Sequence, residues 1–245
     1  MKEPYLDLIC SKKISLVEKK DLISSLEGKE IYPNVVRSLY KGKISSIKGY
    51  YNGYWWIQDI GSFIQFEILL KKIFKNFENL DFKNLKFLDL CCAPGGKTIQ
   101  ILDNGINVFS VDISLNRIQI MLENLKRLKL KSKIICQDAS TIKTKDKFDV
   151  ILIDAPCSST GTIRKNPDIL LRTSSSYLNN IIENQKKILS NASKLLKKNG
   201  LLMYVVCSLE KVEGEKIILE FCRNNKNFKI EPICQSEVNI KNSSI

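Results

Sequence analysis

Two cysteines are placed where covalent chemistry could occur. Cys157 follows the apolar run of residues 150–153 after a short Asp-Ala-Pro segment, and Cys207 directly follows the apolar run of residues 201–206. Such runs are typical of buried strands, so both thiols are predicted at strand ends, where loops present functional groups. Because a thiolate is a strong nucleophile, this placement predicts an active site rather than a structural disulfide.

The composition excludes several other chemistries. The 245 residues contain no histidine, which rules out Ser-His-Asp and Cys-His catalysis and histidine metal sites. The eight cysteines include no Cys-x-x-Cys pair, so we expect reduced thiols and no bound metal. Any reaction must therefore depend on Cys, Asp, Glu, Lys or Tyr side chains.

The chain is strongly basic, with a net charge of +13 and a pI near 9.3. This charge favours a nucleic-acid partner, although a Lys-rich, Arg-poor composition also arises from an AT-rich genome. No apolar run approaches the ~20 residues of a membrane span, and the N-terminus lacks the apolar core of a signal peptide. We therefore expect a cytoplasmic protein that does not contact membranes and acts as a monomer.

From about residue 85 the sequence alternates between strand and helix signals. Strands are predicted at residues 86–90, 107–111, 133–136, 148–153 and 201–206. Helices are predicted to begin near Lys97, at the N-cap Ser114 and at residue 214, and a long amphipathic helix is predicted to stop at Asn199-Gly200. Repeated β-α units predict an α/β fold with a parallel sheet, in which ligands bind at the carboxyl ends of the strands.

Residues 1–80 are less regular and are predicted to form a small N-terminal α+β subdomain, RNA-binding-like, with a linker helix at residues 62–74. Residues 50–56 form an aromatic, turn-rich cluster. Aromatic rings beside Lys and Arg can stack on bases, but such rings also pack between subdomains, and both alternatives stay open. Residues 81–245 are predicted to form the catalytic domain.

A glycine-rich turn joins the first strand of that domain to its first helix. Its residues are Cys91, Cys92, Ala93, Pro94, Gly95, Gly96 and Lys97. Glycine lets the backbone approach a ligand closely, and the helix N-terminus provides free N–H groups. The turn lacks the glycine five positions before Gly96 that a P-loop requires, and the Gly-x-Gly-x-x-Gly dinucleotide pattern is also absent.

Acidic residues end three strands of the predicted sheet: Asp112, Asp138 and Asp154. A carboxylate at the end of the second strand can accept hydrogen bonds from both ribose hydroxyls, and one at the third can accept an adenine amino group. Nearby negative charge would also suit a sulfonium ion. Together with the glycine-rich turn, these residues predict S-adenosylmethionine as the cofactor and methyl transfer as the reaction class.

Several segments resemble the Sun/Fmu family of RNA cytosine-5 methyltransferases. They are Asp-Leu-Cys-Cys-Ala-Pro-Gly-Gly-Lys-Thr at 89–98, Asp-Ala-Pro-Cys-Ser-Ser-Thr-Gly at 154–161, Val-Cys-Ser at 206–208 and Trp-Trp-Ile-Gln-Asp at 55–59. The resemblance covers roughly residues 4–233. It implies a Rossmann-like S-adenosylmethionine methyltransferase sheet and RNA, specifically bacterial 16S rRNA, as the partner.

The resemblance also implies a role for each candidate residue. Cys207 would add to C6 of a cytosine, which makes C5 nucleophilic enough to accept a methyl group, and Cys157 would assist product release. Asp154 would hydrogen-bond the base, and Lys97 would lie in the same pocket and help to keep a thiolate ionised. Arg164 and Lys165 are expected to contact phosphates around an unstacked base.

The sequence departs from the family pattern at several positions. Val206 replaces the usual threonine before Cys207, and Glu213-Gly214-Glu215 stands where the family has Glu-Asn-Glu. The closing strand pair of the family and its preceding helical domain are not recognisable, so we expect a shortened enzyme or a fragment. Two alternatives therefore remain. One is a non-catalytic RNA-binding fragment, and the other is a DNA cytosine-5 methyltransferase in which Cys157 would be the nucleophile.

Overall fold

The computed structural model describes residues 3–77, 81–172 and 174–234. The N-terminal part of the chain contains a four-stranded antiparallel sheet. The strands pair in the order β2-β3-β1-β4 and are β1 (Leu6–Cys10), β2 (Lys29–Tyr32), β3 (Val35–Ser38) and β4 (Trp55–Ile57). The helices of this part are α1 (Leu16–Ser25), a 3-10 turn at Ile44–Ser46 and α2 (Ile60–Asn76). Asp59 caps α2 by accepting a hydrogen bond from the Gly61 amide at 2.8 Å.

The strands that follow form a parallel sheet, which confirms the predicted α/β class. The strand order is β7-β6-β5-β8-β9, with bounds β5 (Phe87–Leu90), β6 (Val108–Asp112), β7 (Lys133–Cys136), β8 (Phe148–Asp154) and β9 (Leu196–Val205). The helices are α3 (Gly96–Asp103), α4 (Leu115–Arg127), α5 (Ser175–Leu195) and α6 (Glu215–Asn224), with 3-10 turns at Phe82–Asn84, Thr160–Thr162 and Pro167–Arg172. The chain adds β6 and β7 on one side of β5 and then β8 and β9 on the other. A crevice therefore opens at the carboxyl ends of β5 and β8, where ligands bind in such sheets.

The central strands β5 and β8 of the parallel sheet are buried on both faces, as their apolar character predicts. Leu88 and Ile151 pack toward α5, whereas Phe87 and Val150 pack toward α2 on the opposite face. Phe66 of α2 is fully buried against this second face. The helix that follows the antiparallel sheet is therefore part of the core of the parallel sheet.

The predicted helix stop at Asn199-Gly200 is wrong. α5 ends at Leu195, and residues 196–200 already belong to β9. Asn199 adopts the left-handed conformation, with φ of 62°, near a register shift between β8 and β9. An Asn-Gly pair tolerates this backbone at a strand irregularity as well as at a helix end. Lys197, which donates to the Asp149 carboxylate at 2.8 Å, ties this extended segment to β8.

Two of the sequence-based expectations concern positions that the structure does not describe. The domain boundary predicted at residue 80 and the final residues 235–245 lie outside the described ranges. Within those ranges, no helix has the length and apolar character needed to cross a membrane.

Candidate active site

The two cysteines predicted to act together are in contact. β8 and β9 are parallel neighbours, with Asp154 opposite Val205, so the loops that follow them start side by side. These loops bring the Cys157 and Cys207 sulfur atoms to 3.4 Å from each other. Cys207 is exposed, whereas Cys157 is half-buried. A ligand could therefore reach the Cys207 sulfur.

The contact shifts the pKa values of the two thiols in opposite directions. The hydrogen bond from the Cys157 thiol lowers the pKa of Cys207 to about 6, and the Ser159 hydroxyl at 3.6 Å and the charge of Lys97 act in the same direction. Burial and the Asp154 carboxylate oppose this shift without cancelling it. The same hydrogen bond, together with burial, raises the pKa of Cys157. At neutral pH the pair therefore consists of a Cys207 thiolate and a protonated Cys157 thiol.

A buried lysine at the start of the first helix of the parallel sheet pairs with the carboxylate that ends β8. Lys97, in the first turn of α3, donates to Asp154 Oδ2 at 2.8 Å and to the Ser62 hydroxyl at 2.7 Å. Its side chain is 7% exposed, whereas that of Asp154 is 35% exposed. The Ser62 contact comes from α2, so the N-terminal part of the chain helps to orient this ion pair.

The glycine-rich turn has the backbone geometry that its sequence suggests. Cys91 and Gly95 both adopt positive φ, 60° and 104°, before α3 begins at Gly96. Burial raises the pKa of Cys91 to about 12 and also raises the pKa of Cys92. Both thiols are therefore protonated, so neither is a candidate nucleophile.

The acidic strand ends have different surroundings. Asp112 is buried and accepts hydrogen bonds from the Ala93 and Ser114 amides, each at 2.9 Å, so it ties the glycine-rich turn to the end of β6. Asp138 accepts from the Ser140 amide at 2.8 Å. Only Asp154 among the three lines the main cavity described next. Asp112 and Asp154 each follow a residue that is paired with Leu90, so these two carboxylates end the strands on either side of β5 at the same level. Asp138 lies two residues beyond Cys136, the partner of Asp112 in β7.

A cavity of about 700 Å³ opens at the carboxyl ends of β5, β8 and β9. Cys207, Lys97 and Asp154 line it, together with the turn residues Cys92, Ala93, Pro94 and Gly96. Arg164 and Lys165 lie at the same cavity, and Lys165 makes an ion pair of 2.5 Å with Asp59. Cys91, Gly95, Asp112, Asp138 and Cys157 do not line it. Of these, Cys157 still reaches it indirectly through its contact with Cys207.

The aromatic segment packs against α4 and also borders the cavity, whose lining includes Tyr50, Trp55 and Trp56. Trp55 and Trp56 are buried. Arg127 of α4 lies over the Tyr50 ring, 4.4 Å from its centroid, and donates to the Tyr50 and Trp55 carbonyl oxygens at 3.0 and 2.9 Å. Because the two tryptophans are enclosed, they join the N-terminal part to α4 rather than offering exposed faces. Tyr51, in contrast, is exposed.

Three further residues, Asp89, Ser62 and Glu213, belong to this region, although the sequence motifs do not single them out. Asp89 is completely buried in β5 and accepts from the Thr98 hydroxyl at 2.5 Å. Burial, with the charges of Asp154 and Asp112, raises its pKa to about 7. An acid within an apolar strand was the available signal. Ser62 gave no such signal, and Glu213 appeared only as part of a motif.

The family of this chain follows from its similarity to known proteins. A family model described as 16S rRNA methyltransferase RsmB/F matches residues 78–244. The chain belongs to this family. The RsmB/F match confirms the family resemblance predicted from the motifs.

Individual relatives agree with the RsmB/F assignment. The chain is 34% identical to ribosomal RNA small subunit methyltransferase B of Pasteurella multocida over 211 residues, which cover 82% of this chain and 45% of that protein. It is similar to the crystal structure of NSun6 from Pyrococcus horikoshii with SFG, with a TM-score of 0.64, 28% identity and coverage of 75% of this chain and 46% of that one. A methyltransferase homolog protein from Pyrococcus horikoshii gives a TM-score of 0.67 at 25% identity, covering 91% and 71%. The chain spans about half the length of the curated relatives it matches.

Proposed function

We propose that this chain transfers a methyl group from S-adenosylmethionine to C5 of a cytosine in RNA, with 16S rRNA as the substrate. The observation that carries the proposal is the contact between the Cys207 and Cys157 sulfur atoms, 3.4 Å apart, beside the Lys97–Asp154 ion pair. The lowered pKa of Cys207 and the raised pKa of Cys157 support it. Methylation at C5 of cytosine needs one thiolate to activate the ring and a second group to remove a proton.

The residues around the glycine-rich turn fit S-adenosylmethionine. The turn exposes backbone to the cavity, and α3 directs its N-terminus toward the same space. Asp112 and Asp154 lie close enough to Asp89 for their charges to add to the effect of burial on its pKa, so negative charge is concentrated beside the turn. This charge suits a cation with a sulfonium and an ammonium group. NSun6, a solved relative, carries SFG, an analogue of S-adenosylmethionine.

When bound, S-adenosylmethionine supplies an electrophilic methyl group. Backbone groups of residues 93–96 would hold it, with Asp112 and Asp138 as acceptors for its hydroxyl and amino groups. Lys97 and Asp154 line the same cavity as the turn residues Ala93, Pro94 and Gly96 and as Cys207. The base and the cofactor would therefore meet beside this ion pair.

The proposed reaction on the cytosine ring depends on the different pKa values of Cys207 and Cys157. The Cys207 thiolate would form a bond to C6, and the electron pair of the C5–C6 double bond would move to C5. After C5 has gained its methyl group, the C5 proton must leave, and its electron pair restores the double bond and expels the Cys207 thiolate. Once the Cys207 sulfur is bonded to carbon, it no longer holds the Cys157 proton. Cys157 can then lose this proton to solvent and act as the base.

The charges and the relatives support RNA as the polymer. Arg164 and Lys165 at the cavity, and a net charge of +13, suit a phosphate backbone. The curated relatives that the chain matches include proteins named ribosomal RNA small subunit methyltransferase B. The low pKa of Cys207 favours it over Cys157 as the nucleophile, which is the arrangement expected for the RNA enzymes. We also propose that residues 1–80 help to hold the RNA.

A denaturing-gel assay tests this proposal. Wild type, Cys157→Ala and Cys207→Ala would each be mixed with S-adenosylmethionine and unmodified 16S rRNA. We expect a stable protein–RNA band for Cys157→Ala, because release is blocked, and none for Cys207→Ala. A band for Cys207→Ala alone would reverse the two roles and favour the DNA-type arrangement. A cofactor-binding protein that forms no adduct and transfers no methyl group would support a non-catalytic RNA-binding chain.

A further inference from the structure

A single carboxylate lies behind both thiol loops. Glu213, between β9 and α6, is fully buried, with 0% of its surface exposed. Its Oε1 accepts from the Ser158 amide at 2.8 Å, and its Oε2 accepts from the Ser208 hydroxyl at 2.5 Å and from the Ser158 hydroxyl. Ser158 follows Cys157 and Ser208 follows Cys207 in the sequence. One side chain therefore contacts the residue after each cysteine.

The surroundings of this carboxylate are neutral. The side-chain amide nitrogen of Gln185, a buried residue of α5, also donates to Glu213 Oε1, at 3.1 Å. In the described part of the chain, Glu213 forms no ion pair with a lysine or arginine. Keeping a charge in the interior without a counter-ion is costly, and it is tolerated only when hydrogen bonds satisfy the group. Four donors from three residues meet this requirement here.

These hydrogen bonds restrict the position of each cysteine. Ser158 and Ser208 lie 3.0 Å apart across the loops, measured between their hydroxyl oxygens. The Gly161 amide donates to the Cys207 carbonyl at 3.0 Å, and the Leu209 amide donates to the Thr160 hydroxyl at 2.9 Å. Glu213 is the group in this network that binds both loops and α5 at once. Loss of its acceptors would leave Ser158 and Ser208 without a shared anchor.

We propose that Glu213 is the positioning residue that holds the two thiols in contact, by fixing the loops of Cys157 and Cys207 to each other. The inference deepens the proposed function of the same site. Its main readout is the reactivity of a thiol, which requires neither RNA nor cofactor. Failure of the proposed function and failure of this inference can therefore be told apart.

The contrasting possibility is that Glu213 only supports the fold near α6. Its backbone also takes part in local structure, because the Tyr204 hydroxyl donates to the Glu213 carbonyl at 2.9 Å. A purely structural residue would change the free energy of unfolding and leave the acidity of Cys207 unchanged in the folded protein. A positioning residue would change that acidity.

The test is the pH dependence of alkylation of Cys207 by iodoacetamide, followed by peptide mass spectrometry on the full chain. Glu213→Gln keeps the size of the side chain but replaces one acceptor oxygen with a donor. We expect the midpoint of the profile to rise by about one pH unit from its wild-type position, so that alkylation slows several-fold at pH 5.5. Glu215→Gln, the same change at an exposed position two residues later, should leave the midpoint unchanged.

Several results would overturn the inference. One is a folded Glu213→Gln protein whose midpoint matches wild type, and another is a wild-type midpoint near that of an ordinary thiol. If Glu213→Gln does not fold, Ser158→Ala and Ser208→Ala each remove one link between the loops and should each raise the midpoint. Unchanged midpoints in both serine variants would then reject the role of Glu213. A normal profile with no methyl transfer would instead reject the proposed function.

Discussion

Replacement of Gly95 by alanine should weaken both the fold and the binding of the cofactor. Gly95 has a φ of 104°, a conformation that is unfavourable for any residue with a side chain. A Cβ at this position would lie 2.6 Å from Met121 Cγ. Met121 is fully buried in the core beneath the turn, so it cannot move out into solvent. The turn itself would have to shift.

The magnitude follows from two separate costs. A left-handed backbone costs an alanine roughly 1–2 kcal/mol, and an extra carbon in a packed core costs roughly 1–3 kcal/mol. We therefore expect Gly95→Ala to lower the free energy of unfolding by roughly 2–5 kcal/mol. Gly105, with a φ of 76°, is the matched control, because no described atom lies within 4 Å of a Cβ built there. Gly105→Ala should cost only the backbone part, roughly 1–2 kcal/mol.

Urea unfolding followed by tryptophan fluorescence measures the two free energies, and calorimetric titration with S-adenosylmethionine measures affinity. We expect roughly tenfold weaker binding for Gly95→Ala, which corresponds to a loss of about 1.4 kcal/mol in binding free energy caused by the shift of the turn, and unchanged binding for Gly105→Ala. Met121→Ala is itself destabilising. The loss of stability in the Gly95→Ala/Met121→Ala double variant should nevertheless be smaller than the sum of the two single losses, because the clash with Met121 is removed. Equal losses in the two glycine variants, or full affinity in folded Gly95→Ala, would refute this reasoning.

Two further predictions concern buried charges. Lys97→Met should raise the pH midpoint of Cys207 alkylation, because the positive charge that stabilises the thiolate is removed and the opposing Asp154 carboxylate remains. Ser62→Ala keeps the Lys97–Asp154 ion pair and should leave this midpoint unchanged. It should slow methyl transfer about threefold, because Lys97 loses one hydrogen bond. Equal midpoints in wild type and Lys97→Met would show that Lys97 does not act on the thiol. The pKa of Asp89 in the folded protein is about 7, above its ordinary value of 3.8. Between about pH 4 and 7 the native state therefore binds more protons than the unfolded state. The free energy of unfolding should fall as the pH rises through this window. Urea midpoints measured across this window should therefore depend less on pH in Asp89→Asn than in wild type, and identical slopes would contradict the raised pKa.

Much of the fold could be predicted because its signals are local. Four of the five predicted strands of the parallel sheet match the structure to within one residue at each end, since a short apolar run has few ways to be buried. The N-cap Ser114 was recognisable for the same reason, and its hydroxyl accepts from the Arg117 amide. The prediction that the helix stops at Asn199-Gly200 was wrong because an Asn-Gly pair allows a left-handed backbone but does not require a helix end. Whether this backbone ends a helix or interrupts a strand depends on the pairing with β8.

In the candidate site, too, some residues could be recognised from local sequence and others only from the tertiary structure. The residue types and spacing of the motifs were enough to indicate Cys157, Cys207, Lys97 and the glycine-rich turn, because covalent and cofactor chemistry restricts which residues can serve. Their partners came from distant segments. Ser62 reaches Lys97 from α2, and Glu213 joins two loops that begin fifty residues apart. Strand order brings such groups together, and strand order is a property of the whole core rather than of any motif. The thiol contact, and with it the acidity of Cys207, exists because β8 and β9 are paired at their carboxyl ends, where Asp154 lies opposite Val205.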